Sequence, residues 1–92
     1  MAVGVIWYPP VDQKAYEAIR DKVWQAGTDK GLKFHAAGEA DGSWRIIELW
    51  ESRDGLERFI REDLARAFDE VSGGQPGSPQ PEVVFDIHFQ GP

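Results

Sequence analysis

The stretch that decides the fold is LKFHAAGEADGSWRIIELWE, residues 32–51. Two runs rich in aliphatic and aromatic residues flank Asp41-Gly42, a pair that tolerates the positive backbone angles of a tight hairpin turn. Strands are therefore predicted over residues 32–37 and 44–51. A loop centred on Asp41-Gly42 sets one register, in which His35 faces Glu48, Phe34 faces Leu49, Lys33 faces Trp50 and Glu39 faces Trp44. One face of this hairpin carries Leu32, Phe34, Ala36, Ile47 and Leu49. The other carries Lys33, His35, Ala37, Trp44, Ile46, Glu48 and Trp50. Neither face is purely polar, so each needs a cover.

Working outward, residues 3–8 alternate as a strand that stops at Pro9-Pro10. Asp12 stands at an N-cap position, and Tyr16, Ile19 and Val23 recur at helical spacing, which predicts a helix to about Ala26 with Gly27 as its C-cap. Ser52 caps a second helix whose inward stripe is Leu56, Phe59, Ile60, Leu64, Phe68 and Val71; the charged residues between them form a solvated side. Residues 72–81, SGGQPGSPQP, read as a loop before a last strand over residues 82–89. The chain is expected to be one domain over residues 1–92. Its order, strand–helix–strand–strand–helix–strand, is the ferredoxin-like βαββαβ plan: an α+β fold with an antiparallel four-stranded sheet and two helices on one face.

Two helices can cover one face only. At 92 residues, with no cysteine to form a disulfide, the core is marginal, since a chain of this size buries only about 60–65% of its unfolded surface. A second copy of the sheet is the expected cover for the open face, making the molecule a homodimer. Trp50, His35 and Glu48 are placed toward the helices.

The 16 acidic and 10 basic residues leave a formal charge of −6, which argues against partners rich in phosphate, both nucleic acid and anionic membrane. No apolar run approaches the roughly 20 residues of a membrane span, and the first residues lack the basic segment of a secretory signal, so a cytoplasmic location is expected. No glycine-rich phosphate loop, nucleotide fingerprint or serine-nucleophile signature occurs. His35 and His88 fall on opposite sheet edges, roughly 14 Å apart at about 4.8 Å per strand, so one chain cannot offer both to a metal ion. Neither a metal nor a cofactor is expected.

Residues 34–58, FHAAGEADGSWRIIELWESRDGLER, resemble the antibiotic biosynthesis monooxygenase-like family of the dimeric α+β barrel superfamily. Its members commonly carry a Trp near the end of strand three, followed by a Ser, an acidic residue and an aliphatic or aromatic residue; those positions are Trp50, Ser52, Asp54 and Leu56. The resemblance implies a dimeric α+β barrel and, among the family's activities, cofactor-independent oxygenation of an aromatic or polyketide-type metabolite. It also admits a cyclase or isomerase on the same scaffold, or a non-catalytic dimeric module that binds a ligand or serves a structural role. The haem-degrading branch relies on an Asn, a Trp and a His; this chain has no Asn, and only Trp50 carries over.

His35 and Glu48 are the candidate catalytic pair, because a histidine oriented by a carboxylate can act as general base or acid. Trp44, Trp50, Tyr16 and Phe59 are the candidate substrate-binding residues, offering flat apolar walls for a hydrophobic or aromatic ligand. Trp7 and Trp24 are assigned instead to the core. The structural alternative is that His35–Glu48 fixes sheet register and the aromatics are packing. A catalytic reading calls for a cavity of roughly a few hundred cubic ångströms beside the pair. Arg45 could hold an anionic oxygen only if it pointed inward, and strand parity puts it on the Leu49 face.

Overall fold

The computed structural model describes residues 1–74 and 79–92. Four strands, β1 (Val3–Trp7), β2 (Leu32–Ala40), β3 (Ser43–Trp50) and β4 (Val83–Asp86), form one antiparallel sheet in the order β2-β3-β1-β4. Helix α1 (Gln13–Asp29) connects β1 to β2, and a second helical rod connects β3 to β4. This is the ferredoxin-like arrangement, with Val3, Val5, Trp7, Ile46 and Trp50 of the sheet buried together with Tyr16, Ile19, Val23, Leu56 and Phe59 of the helices. Four residues of the expected 72–81 loop, 75–78, lie outside the described residues.

The hairpin turn has the form its sequence dictates. Asp41 and Gly42 both take positive φ, 53° and 78°, and Ala40 pairs directly with Ser43, as a two-residue primed turn requires. His35 pairs with Glu48, Phe34 with Leu49 and Glu39 with Trp44. The register departs from simple alternation at one point: Leu32, rather than Lys33, pairs with Trp50, through a bulge between Leu32 and Phe34. Unbroken parity would put the Lys33 ammonium beside a fully buried indole. The extra residue instead lets Leu32 pack on the core while Lys33 reaches Glu51 at 3.6 Å in solvent.

Several element bounds also differ from the pattern-based expectation, β2 among them, which runs on to Ala40. Helix α1 runs past Gly27 to Asp29, with Lys30 as C-cap and the left-handed turn at Gly31 (φ 111°). Gly27 is an interior contact, because a β-carbon there would lie 3.4 Å from the Phe59 ring and 3.6 Å from Leu32. Strand β4 stops at Asp86 rather than reaching residue 89. Its partner β1 begins at Val3, and one further backbone bond, from the Ile87 N–H to the Ala2 carbonyl, follows the paired stretch. The second rod is α2 (Arg53–Phe59), a π-helical turn (Ile60–Leu64) and α3 (Ala65–Ser72). Both N-caps are as predicted: Asp12 accepts from the Ala15 N–H and Ser52 from the Gly55 N–H.

The helices cover the face that carries His35, Ile46, Glu48 and Trp50. The opposite face exposes Phe34 (56%), Ile47 (57%), Phe85 (46%) and Tyr8 (51%). Arg45 lies on this open face, its guanidinium 4.2 Å from the Tyr8 ring centre, as strand parity predicted.

Candidate functional site

Glu48 is the buried charged residue of the described core, 7% exposed, and its carboxylate is fully engaged. The indole N–H groups of Trp7 and Trp50 donate to Oε1 at 2.8 and 2.9 Å, and Oε2 lies 2.7 Å from His35 Nδ1. Three elements supply these groups: Trp7 from β1, Glu48 and Trp50 from β3, and His35 from β2. A carboxylate offers acceptors only, so Nδ1–H donates to Glu48 and Nε2 is left as an acceptor. Tyr16 of α1 meets that nitrogen with its hydroxyl. The result is a continuous relay, Tyr16 to His35 to Glu48, anchored by two indoles.

The relay is walled by aromatics. The Trp24 ring stands edge-on to His35 at 5.5 Å, and Trp44 packs against Tyr16 at 5.2 Å. The Arg20 guanidinium lies 5.6 Å from the Tyr16 ring centre and is held on its solvent side by Asp21 at 3.1 Å. Burial raises the Tyr16 phenol above its ordinary value of 10.0, opposed by the nearby Arg20 charge. At neutral pH the phenol is therefore a proton-bearing donor, poised on a histidine.

Beside the relay, under α1, a half-open cavity of about 80 Å³ is lined by the polar residues His35, Glu48 and Arg20 and by Trp7, Trp24, Ile19, Phe59, Leu64 and Phe68 among its apolar walls. The sequence expectation divided the indoles the other way. Trp7 and Trp24 line the cavity, whereas Trp44, Trp50 and Tyr16 do not. Trp50 is completely buried between Phe59 and the Glu48 carboxylate, and Trp44 backs Tyr16. Trp44, Trp50 and Tyr16 are grouped around the relay, and of the four candidate substrate-binding residues Phe59 lines the cavity. Arg20 was passed over in the sequence and Trp24 was assigned to the core, although with Tyr16 they recur every four residues along one flank of α1, a spacing that puts them on the same face.

The cavity volume falls short of the few hundred cubic ångströms expected for a metabolite site. A groove of about 480 Å³, lined by Pro10, Val11, Asp12, Ala15, Ile19, Phe68, Val71 and Ser72, adjoins it between α1 and α3. Among the described residues no cluster of three metal-ligating side chains occurs, and no helix is long and apolar enough to cross a membrane.

The ferredoxin-like fold is shared with several solved structures. Solved structures similar to it include SnoaB, a cofactor-independent oxygenase from Streptomyces nogalater, at TM-score 0.57 and 13% identity over 97% of this chain and 93% of that one. Rv0793 from Mycobacterium tuberculosis is similar at TM-score 0.53 and 17% identity, covering 97% and 95%. An antibiotic biosynthesis monooxygenase by assignment, from Chloroflexus aurantiacus J-10-fl, is similar at TM-score 0.53 and 14% identity, covering 99% and 98%. No protein-family model and no curated protein sequence matches the chain. At these identities the likeness is one of fold.

Proposed function

We propose that the chain is a small cofactor-independent monooxygenase-like enzyme that acts, as a homodimer, on an aromatic or polyketide-type metabolite. The observation that carries this reading is the Tyr16–His35–Glu48 relay beside a largely apolar cavity. The description of SnoaB as a cofactor-independent oxygenase supports it on the level of scaffold.

The chemistry suits the groups. A substrate with an acidic CH₂ beside a phenolic ring displaces the Tyr16 hydroxyl from His35 Nε2 and loses a proton to that nitrogen, and Glu48 stabilises the imidazolium that forms. The apolar walls keep water from the carbanion. The carbanion is oxidised by dioxygen, a C–O bond forms, and the peroxide takes a proton from the imidazolium. Loss of water from the hydroperoxide leaves a carbonyl. The sum is R₂CH₂ + O₂ → R₂C=O + H₂O, with all four electrons supplied by the substrate.

The test is oxygen uptake with a panel of polycyclic phenols, followed by product mass after reaction under ¹⁸O₂. Uptake with one labelled oxygen in the product is expected, and His35→Gln is expected to lose roughly 10²-fold or more in rate, the usual worth of a general base. Turnover to a product of unchanged mass would reassign the pair to isomerisation. No turnover of the panel, or full activity in His35→Gln, would defeat the catalytic reading.

A further inference from the structure

The two spaces beside α1 share part of their walls. Val11, Ile19 and Phe68 line both the cavity beside His35 and the larger groove. On α1, Tyr16, Arg20 and Trp24 form the flank turned toward His35. The other flank faces α3, as the Lys22–Glu70 ion pair at 3.0 Å shows. The cavity therefore runs beneath α1 from the relay to α3, and the groove continues it past a thin apolar partition.

The π-helical turn helps to build that partition. In a regular α-helix five residues advance about 500°, which would turn Leu64 roughly 140° away from Phe59. The Ala65 N–H instead donates to the Ile60 carbonyl, an i→i+5 bond that takes up one extra residue. Phe59, Leu64 and Phe68 consequently all line the cavity. Lys30, at the end of α1, holds the wide turn through Asp63 at 2.7 Å.

We propose that Phe68 is the residue that sets substrate size, with the reacting edge of a fused polycyclic phenol reaching into the cavity at His35 and its remaining rings in the groove, past the Phe68 side chain. This rests on the proposed function, and it answers a physical difficulty of that reading. The half-open cavity of about 80 Å³ admits only the edge of an aromatic ring, so it cannot by itself take a fused ring system. With the groove added, the space falls in the usual range for metabolite sites, about 300–1,000 Å³. Of the three shared residues Phe68 has the largest and only flat side chain, and like Val11 it is only partly buried.

The experiment is equilibrium dialysis of the full chain against phenol, 1-naphthol and the tricyclic alizarin, comparing wild type, Phe68→Ala and Phe68→Trp. Phe68→Ala is expected to tighten alizarin binding by about tenfold or more, and Phe68→Trp to weaken it by a similar factor, with phenol changing less than about twofold; a contact of this kind in an apolar pocket discriminates by about 10–200-fold. Should Phe68→Ala fail to fold, Phe68→Leu and Phe68→Trp give the same contrast. Alizarin affinity that does not depend on residue 68, probes that all shift together, or no alizarin binding by any variant would overturn the proposal. Since binding is read without turnover, its outcome is separate from that of the oxygen-uptake test: either can fail while the other holds.

Discussion

At the scale of single residues, Glu48 explains why four aromatic side chains from separate parts of the chain converge. Its carboxylate is buried, and each of its oxygens is occupied by an N–H donor. Removing the carboxylate would strand these donors, each costing about 1–3 kcal/mol when buried without an acceptor. Tyr16 adds a proton that the fold holds more tightly than solvent does. Because burial raises its pKa above 10.0, the unfolded chain releases this proton first as pH climbs. In that window the native state binds more protons than the unfolded state, so stability falls from about pH 10 upward until the folded phenol also ionises. The urea midpoint of wild type is therefore expected to fall more steeply across this range than that of Tyr16→Phe, and equal slopes would reject the linkage. The His35–Glu48 pair was legible in the sequence because one turn fixes its register. Its indole and phenol partners were not, since Trp7 and Tyr16 reach Glu48 and His35 only through tertiary packing, which strand parity does not encode.

At the scale of elements, the rule of alternation failed where charge and burial conflicted. The sequence order and turn signals were sufficient for the sheet, its strand order and both N-caps. They did not reveal the bulge, because Lys33 and Leu32 look equally acceptable until Trp50 is known to be completely buried. Nor did they reveal the π-helical turn, whose extra residue is hidden within a stripe that reads as ordinary helix. Gly27 and Gly55 illustrate a related difficulty: each is small because of a neighbour distant in sequence. A β-carbon on Gly55 would collide with the Lys30 carbonyl oxygen, a backbone atom that cannot swing aside. Gly55→Ala is accordingly expected to destabilise the fold by about 1–3 kcal/mol, the usual cost of overpacking, despite the better helix propensity of alanine. Gly42→Ala sits in open space and strains only its φ of 78°, for a cost of about 1 kcal/mol. Denaturant midpoints of the two variants check the ordering; a Gly55→Ala protein as stable as wild type would show that the α1–β2 junction yields freely.

At the scale of the whole molecule, the sheet is amphipathic in the wrong sense for a lone chain. Its outer face presents Phe34, Ile47 and Phe85, each about half exposed, and Phe85 lies so closely over Gly4 that any side chain there would strike the ring. Gly4 thus lets Phe85 lie flat, which leaves a smooth apolar surface rather than a ridge. Such a surface fits a second copy of itself, consistent with a homodimer, and a two-fold arrangement would bring Ile47 of each chain into the same apolar layer. Ile47→Arg tests this because the position is exposed within one chain, so the substitution need not disturb the monomer's own core. Wild type is expected to sediment as a dimer and to melt at a temperature that rises with protein concentration, as mass action requires of linked folding and association. Ile47→Arg is expected to sediment as a monomer and to lose that concentration dependence, because two buried guanidinium groups without acceptors cost several kcal/mol. A wild-type protein that is monomeric at all concentrations, or a variant that remains dimeric, would mean that the open face is covered by something other than its own copy.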